Sequence, residues 1–233
     1  MDQGAESSVG GASDSQTFLF ADLSGFTALT EAHGDARAAD LAAEFVADAE
    51  AAIATCDAEL VKTIGDAVMI RCEDAGEAVR VGLRIAGRIE ERASFPSVRI
   101  GMHTGVAINR NGGWFGNTVN VAARVTGAAS GGEVLLTSAT RDVAGSIEGV
   151  TLRERGRRSL RNVSEPVMLY EAVKQGSSEH ALLIDPVCRM AVDPAHAAGE
   201  LVHKGRAYHF CSLDCAATFA SDPGTFTDGT ATS

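Results

Sequence analysis

The sequence predicts an α+β fold in two parts, a large domain built on a mixed sheet and then a small cysteine-containing unit. Three observations lead there. Short apolar runs are interleaved with longer segments whose apolar residues recur at helical spacing. A polar stretch, Gln175-Gly-Ser-Ser-Glu-His180, then interrupts that pattern. Beyond it lie Cys188, Cys211 and Cys215 of the chain's five cysteines.

The elements follow in order. Residues 1–16 are Gly, Ser, Ala and acids with little apolar surface to offset the entropy of ordering, so they read as a disordered tail. Residues 17–22 form a first strand, and a helical stretch begins near Ser24. Residues 35–56 are a second helix, with Leu41, Phe45, Val46 and Ile53 on one face. Residues 59–64 and 67–71 are strands of a hairpin around Gly65-Asp66. Residues 73–91 are an amphipathic helix that turns Val79, Leu83, Ile85 and Ile89 inward. A long strand spans 98–109, and a helix carrying Asn120 and Arg124 follows the glycines at 112, 113 and 116. Residues 133–137 and 167–173 complete the sheet. The large domain is thus 17–175, the linker 176–183, the small unit 184–227 and the closing tail 228–233.

At 233 residues the chain fits one medium domain plus one small. A hydrophobic fraction of 45% is ample for a core. A net charge of −11 argues against a nucleic-acid partner, which would call for a basic stripe. No apolar run reaches membrane-spanning length, and the first residues lack the basic and apolar regions of a signal peptide. No membrane partner and a cytoplasmic location are therefore expected. Five cysteines do not close a disulfide framework, so thiols or metal ligands are expected instead.

Two aspartates carry the clearest chemical signal. Asp22 ends Thr17-Phe-Leu-Phe-Ala-Asp22, and Asp66 sits in Leu60-Val-Lys62-Thr-Ile-Gly65-Asp66-Ala-Val-Met69; each adjoins a glycine turn. Mg²⁺ is commonly held by one or two carboxylates plus substrate phosphates, and two aspartates on adjacent strands suit a two-metal phosphoryl site. Downstream, Asn120 and Arg124 are four apart and share a helix face. An amide and a guanidinium there suit the charge that builds on a phosphate during transfer.

With Arg99-Ile-Gly-Met-His-Thr-Gly105, Gly112-Gly-Trp114-Phe-Gly116 and Glu165-Pro-Val-Met-Leu-Tyr170-Glu in the same order, the chain resembles the catalytic domain of class III nucleotidyl cyclases from about residue 17 to about residue 174. The resemblance implies a ferredoxin-like βαββαβ core. It implies two Mg²⁺ or Mn²⁺ ions on Asp22 and Asp66, and phosphates cradled by backbone amides of Gly25, Phe26 and Thr27 at a helix N-terminus. Asn120 would orient the ribose and Arg124 would stabilise the transferring phosphate. Arg161 aligns with the family's basic phosphate ligand, with Arg157 and Arg158 as close alternatives. Lys62 falls at the adenine-reading lysine; an ammonium only donates, which suits an adenine acceptor and points to ATP over GTP. At the partner position, where the family usually has Asp or Thr, this chain has Gly113, which offers no side-chain acceptor. Loss of one such bond costs about 0.5–1.5 kcal/mol, which weakens base contact without removing chemistry. The family takes metal ligands from one subunit and the Lys, Asn and Arg from the other. A homodimer with two composite sites is therefore implied. A catalytically weak nucleotide-binding signalling module is the alternative, and Gly113 is its sequence support.

The small unit, with Asp185-Pro-Val-Cys188-Arg-Met190, Tyr208-His-Phe-Cys211-Ser and Asp222-Pro223, resembles the YHS domain, related to the heavy-metal TRASH motif. It departs at Arg189, where Gly is frequent. Its three thiolates suit Zn²⁺ or Cu⁺, with His203, His209 or Asp214 as a fourth donor. A unit this small gains from a metal staple. Its fusion to a cyclase suggests that metal occupancy shifts the orientation or dimerisation of the catalytic domain. The remaining polar and sulfur side chains are read plainly. Cys56 and Cys72 are packing cysteines, Trp114 is a packing anchor, and His33 and His103 have no ligand-spaced partners in the sequence. Arginines 153, 155, 157 and 158 are a solvated face that holds one plausible phosphate contact.

Overall fold

The computed structural model describes residues 15–92, 94–176 and 183–227. Most of the expected N-terminal tail, the core of the linker and the closing tail lie outside the described residues. The large domain runs β1 (Gln16–Leu23), α1 (Phe26–Ile53), β2 (Ala58–Ile64), β3 (Ala67–Cys72), α2 (Ala75–Glu90) and β4 (Val98–Gly105). It continues with β5 (Ile108–Arg110), β6 (Gly113–Phe115), α3 (Asn117–Ala128), β7 (Val134–Thr137), α4 (Ser138–Ala144), β8 (Val150–Arg158) and β9 (Val167–Lys174). The small unit holds β10 (Leu183–Ile184), β11 (Ala191–Val192), a 3₁₀ turn at Pro194–His196, β12 (Gly199–His203), β13 (Arg206–Phe210), α5 (Leu213–Ser221) and α6 (Pro223–Thr227). Among the described residues no helix is long and apolar enough to cross a membrane.

The first six elements give the expected βαββαβ core. Seven strands lie in the order β2-β3-β1-β4-β7-β9-β8, and β1 is central, antiparallel to both β3 and β4. Alternation along β1 separates two cores. Leu19, Ala21 and Leu23 point to α1 and α2, where they meet Leu41, Phe45, Val79 and Ile85. Phe18 and Phe20 point to the other face with Met69, Ala122 of α3 and Trp114. Trp114 packs against Phe18 with ring centroids 5.5 Å apart, so the packing role read from sequence holds.

Three local expectations change. The long strand expected over 98–109 stops at Gly105, and a separate β5–β6 hairpin follows. The two expected N-terminal helices run together as α1, broken at Gly34, whose φ of 81° and ψ of 161° are non-helical and favour glycine. Helix α4 and strand β8 are additional. In β8 the side chains of Arg153, Arg155, Arg157 and Arg158 are exposed on an edge strand, which hides the strand period from a hydrophobicity pattern.

The small unit docks on the large domain near the start of β4. Ala191 donates its N–H to the Phe95 carbonyl at 3.0 Å and accepts from Ser94 N–H at 3.3 Å, while Pro96 bridges Met190. Val187, Cys188, Met190, Phe210, Cys215 and Phe219 are buried in the same apolar cluster as Phe95 and Leu41. The two units therefore share a core.

Candidate active site

Strand register places the two aspartates together. Asp22 lies opposite Ala67 on β3, and the Leu23 N–H donates to the Asp66 carbonyl at 3.3 Å. Asp66 is half-buried at the β2–β3 turn. Burial first, and the neighbouring Asp22 carboxylate second, push its pKa up to about 6. A carboxyl shifted in this way by burial and a neighbouring carboxylate marks Asp66 as a candidate site residue. Arg99 lies opposite Asp22 on β4, and its Nε and Nη2 donate to Asp22 Oδ2 at 2.7 and 2.5 Å. Sequence reasoning passed over Arg99. Its signal was its place at the head of Arg-Ile-Gly-Met-His-Thr-Gly, but only the register puts it beside Asp22.

The chain leaves β1 through a turn at Gly25, whose φ of 76° is left-handed. Ser24 is pinned there by its N–H to the Ser97 carbonyl at 2.7 Å. No side chain caps α1, so the first-turn amides, Phe26 and Thr27 among them, have no side-chain acceptor. A Cβ added at Gly25 would lie 2.4 Å from Cγ and 2.6 Å from Cβ of Arg189. Thus the small unit's Arg189 lies directly on this turn. Arg189 itself holds a φ of 66°, a conformation that favours glycine and costs an arginine about 1–3 kcal/mol. That explains why glycine suits the position, and the contact with Gly25 is what the arginine adds.

The second set of expected residues lies on other elements. On α3 the buried positions are Val121, Ala122, Val125 and Thr126, so Asn120 and Arg124 face solvent. Leu160 packs against Val121 and Val125, which puts exposed Arg161 on the α3 side of the sheet as well. Lys62 is exposed on the edge strand β2, opposite Met69 and just past a bulge at Leu60/Lys62. Gly113 begins β6 opposite Arg110; a side chain there would press on the Phe115 ring, 2.9 Å from an added Cβ. Asn120, Arg124, Lys62 and Arg161 are thus all exposed, on elements other than β1 and the β2–β3 turn that hold Asp22 and Asp66.

Residues 10–172 match the adenylate and guanylate cyclase catalytic domain family. The chain belongs to that family. Residues 183–230 of the same chain match the YHS domain. Among relatives, a Mycobacterium tuberculosis protein named pH-sensitive adenylate cyclase MT1302 is 36% identical over 172 residues, covering 70% of this chain and 41% of that protein. This cyclase chain thus spans less than half of that relative's length. A Trypanosoma brucei adenylate cyclase solved in its monomeric state shares the fold at a TM-score of 0.67 and 23% identity, covering 80% of this chain and 96% of the other. The guanylate cyclase domain of RhGC from Catenaria anguillulae does so at 0.61 and 18%, covering 69% and 97%. Fold likeness alone therefore does not separate ATP from GTP as substrate.

The cysteines of the YHS unit form a second site. Cys188 and Cys211 Sγ are 3.3 Å apart, and Cys211 and Cys215 Sγ 3.8 Å. The buried Asp185 carboxylate organises them: Oδ1 accepts from Val187 and Cys188 N–H at 2.8 and 3.3 Å, and Oδ2 accepts from Cys211 N–H at 2.9 Å. The nearest histidine is none of the expected donors. His33 of α1 places Nε2 3.6 Å from Cys211 Sγ and 3.8 Å from Cys215 Sγ. All four donor atoms lie within 4.8 Å of one another, close enough to hold a metal ion. The reading of His33 as a residue without ligand partners is corrected; its partners are distant in sequence and adjacent only in the fold. His203 and His209 lie elsewhere, His203 with its ring edge-on to Phe219 and His209 4.0 Å from Glu200. Cys56 and Cys72 stand outside the cluster; burial pushes the Cys72 thiol up to about 12, which suits inert packing.

Proposed function

We propose that this chain converts ATP to 3′,5′-cyclic AMP and pyrophosphate at sites shared between two copies. The observation that carries the reading is the apposed Asp22 and Asp66 beside an uncapped helix N-terminus. The donor set is oxygen-only and acidic, which fits Mg²⁺ or Mn²⁺. Two such ions, when bound, would lower the charge on the triphosphate and favour the ribose 3′-oxyanion. The chain's own residues then position and stabilise. Amides of Gly25, Phe26 and Thr27 donate to phosphate oxygens at the positive end of α1. Arg99 exchanges part of its bond to Asp22 for the triphosphate. From the partner copy, Asn120 orients the ribose, and Arg124 neutralises the α-phosphate as the 3′-oxygen bonds to it and the bond to the β-phosphate oxygen breaks. Lys62 donates to an acceptor on adenine, with no side-chain acceptor from Gly113 to help. Arg161 adds charge near the departing pyrophosphate.

The two-copy arrangement has its own support. Ile64, Val106, Ile108 and Phe115 are 49%, 63%, 59% and 57% exposed. Ile64 ends β2, Val106 follows β4, and Ile108 and Phe115 lie on the β5–β6 hairpin, apolar surface that a second copy would cover. A metal-bound YHS unit is read as a modulator, because Arg189 reaches the Gly25 turn.

Complementation tests the reading. Purified Asp66→Ala and Arg124→Ala proteins should each make no cyclic AMP from ATP and Mn²⁺, and a mixture of the two should regain it through one intact composite site. Inactive mixtures would refute sharing between copies. A folded, dimeric parent that binds ATP yet makes no product would favour the nucleotide-binding module. Cyclic GMP as the main product would remove the role given to Lys62.

A further inference from the structure

We propose that His33 of the cyclase domain and Cys188, Cys211 and Cys215 of the YHS unit form one inter-domain Cys₃His site for a thiophilic, tetrahedral cation of the Zn²⁺ type, and that the ion clamps the YHS unit onto α1. This goes beyond the cyclase reading and does not depend on it. With Zn–S near 2.3 Å and Zn–N near 2.0–2.1 Å, a tetrahedron has S–S edges of about 3.8 Å and S–N edges of about 3.6 Å. Of the six edges, Cys211–Cys215 is 3.8 Å, Cys211–His33 3.6 Å, Cys215–His33 3.8 Å and Cys188–Cys211 3.3 Å, and the two others lie within 4.8 Å. Four donors around one centre close the coordination sphere, which marks a structural site. Imidazole with thiolates in a tetrahedron selects Zn²⁺ over the oxygen-seeking Mg²⁺ of the acidic pair.

Local structure prepares both halves. Cys188 and Cys215 are buried. Asp185 holds the Cys188 and Cys211 backbones through charge-assisted bonds, the outer-shell support expected of a built site. The Ser212 hydroxyl accepts from Cys215 N–H at 3.1 Å and caps α5. On the other side, Gly34 breaks α1 immediately after His33 and ends the short helical segment that begins at Phe26. The imidazole is therefore carried at the far end of the short helical segment that starts at Gly25, where Arg189 rests. An ion at this site ties the YHS unit to the segment between the acidic pair and Gly34.

The test uses the full chain, reduced, without nucleotide, in excess Mg²⁺ so that the acidic site is occupied. Co²⁺ serves as a spectroscopic probe, and Zn²⁺ competes with it. The parent should bind one Co²⁺ with thiolate charge-transfer and intense tetrahedral d–d bands. H33A should lose more than about 100-fold in affinity and change its d–d bands, because a direct ligand outweighs the outer-shell partners whose loss costs 10–100-fold. H33C should restore tight binding with an added thiolate transition, which separates ligand loss from misfolding. H209Q should match the parent. Hydrogen exchange should show the amides of residues 26–33 slowed by Zn²⁺ in the parent but not in H33A. Unchanged Co²⁺ spectra and affinity in H33A, or loss of binding in H209Q, would overturn the shared site. Exchange that ignores Zn²⁺ in the parent would overturn the clamp.

Discussion

The two candidate metal sites of this chain are built in opposite ways. Asp22 lies near the end of β1 and Asp66 in the turn just before β3, and the β1–β3 register brings them together. The cysteine cluster gathers donors from 33 to 215 across two domains and depends on one unit docking on the other. The first site is hard, acidic and partly open; the second is soft and largely buried. A site fixed by backbone hydrogen bonds survives loss of a ligand with the fold intact. A site that itself joins two units does not keep its geometry when one donor goes.

The largest expected effect breaks the first site alone. Asp22→Ala should lower cyclic AMP formation at least about 100-fold, because metal stabilisation of transition-state charge amounts to several kcal/mol. Thermal unfolding and Co²⁺ binding at the cysteines should stay near the parent. Coordinated loss at both sites would mean that they are not independent. Next, Asp185→Asn should loosen the second site. It weakens three backbone bonds to a buried carboxylate, at about 1.5–3 kcal/mol for each bond to a charged group that is lost. The readout is proteolysis of the small unit and lost Co²⁺ binding, while Asp22 and Asp66 keep their places.

Smaller effects sharpen the comparison within the large domain. Gly113→Asp should improve ATP over GTP selectivity by up to about tenfold, the worth of one added hydrogen bond, measured as kcat/KM for the two nucleotides. The exposed Phe115 ring must swing aside, so a rise in KM for both nucleotides would show that it does not. The smallest effect is a pH slope. His103 is half-buried, its Nδ1 2.8 Å from Thr137 Oγ1, and burial lowers its pKa below the ordinary imidazole value. The unfolded chain therefore takes up a proton that the native imidazole refuses. Its contribution to stability is complete above pH 6.5 and is lost as pH falls toward the lower native value. His103→Gln should flatten denaturant midpoints across that acidic window; an unchanged slope would assign the acid sensitivity to other groups.

Much of the large domain was legible because its signals are local. Strands β1 and β3 are short apolar runs buried on both faces and bounded by turn residues, and α2 buries one face at helical spacing, so each pattern marks its element locally. Strand β8 was not, since its arginines face solvent on an edge and its period carries no apolar contrast. The start of β5 reads as the end of one long strand and β6 as part of the glycine run before α3, because three-residue strands leave too short a pattern to read.

The sequence by itself determined the α+β class, the break between two units, and the local motifs that carry each aspartate and each thiol, because each of these is encoded within a run of neighbouring residues; the ferredoxin-like core came from the family resemblance that those motifs support. Only the tertiary structure decided that Arg99 stands on Asp22, that Arg189 rests on Gly25, and that His33 faces Cys211 and Cys215. Those pairings follow from strand register and from the docking of one core on another. Both are settled by the free energy of burying surface between elements far apart in the chain, which no local pattern of residues records.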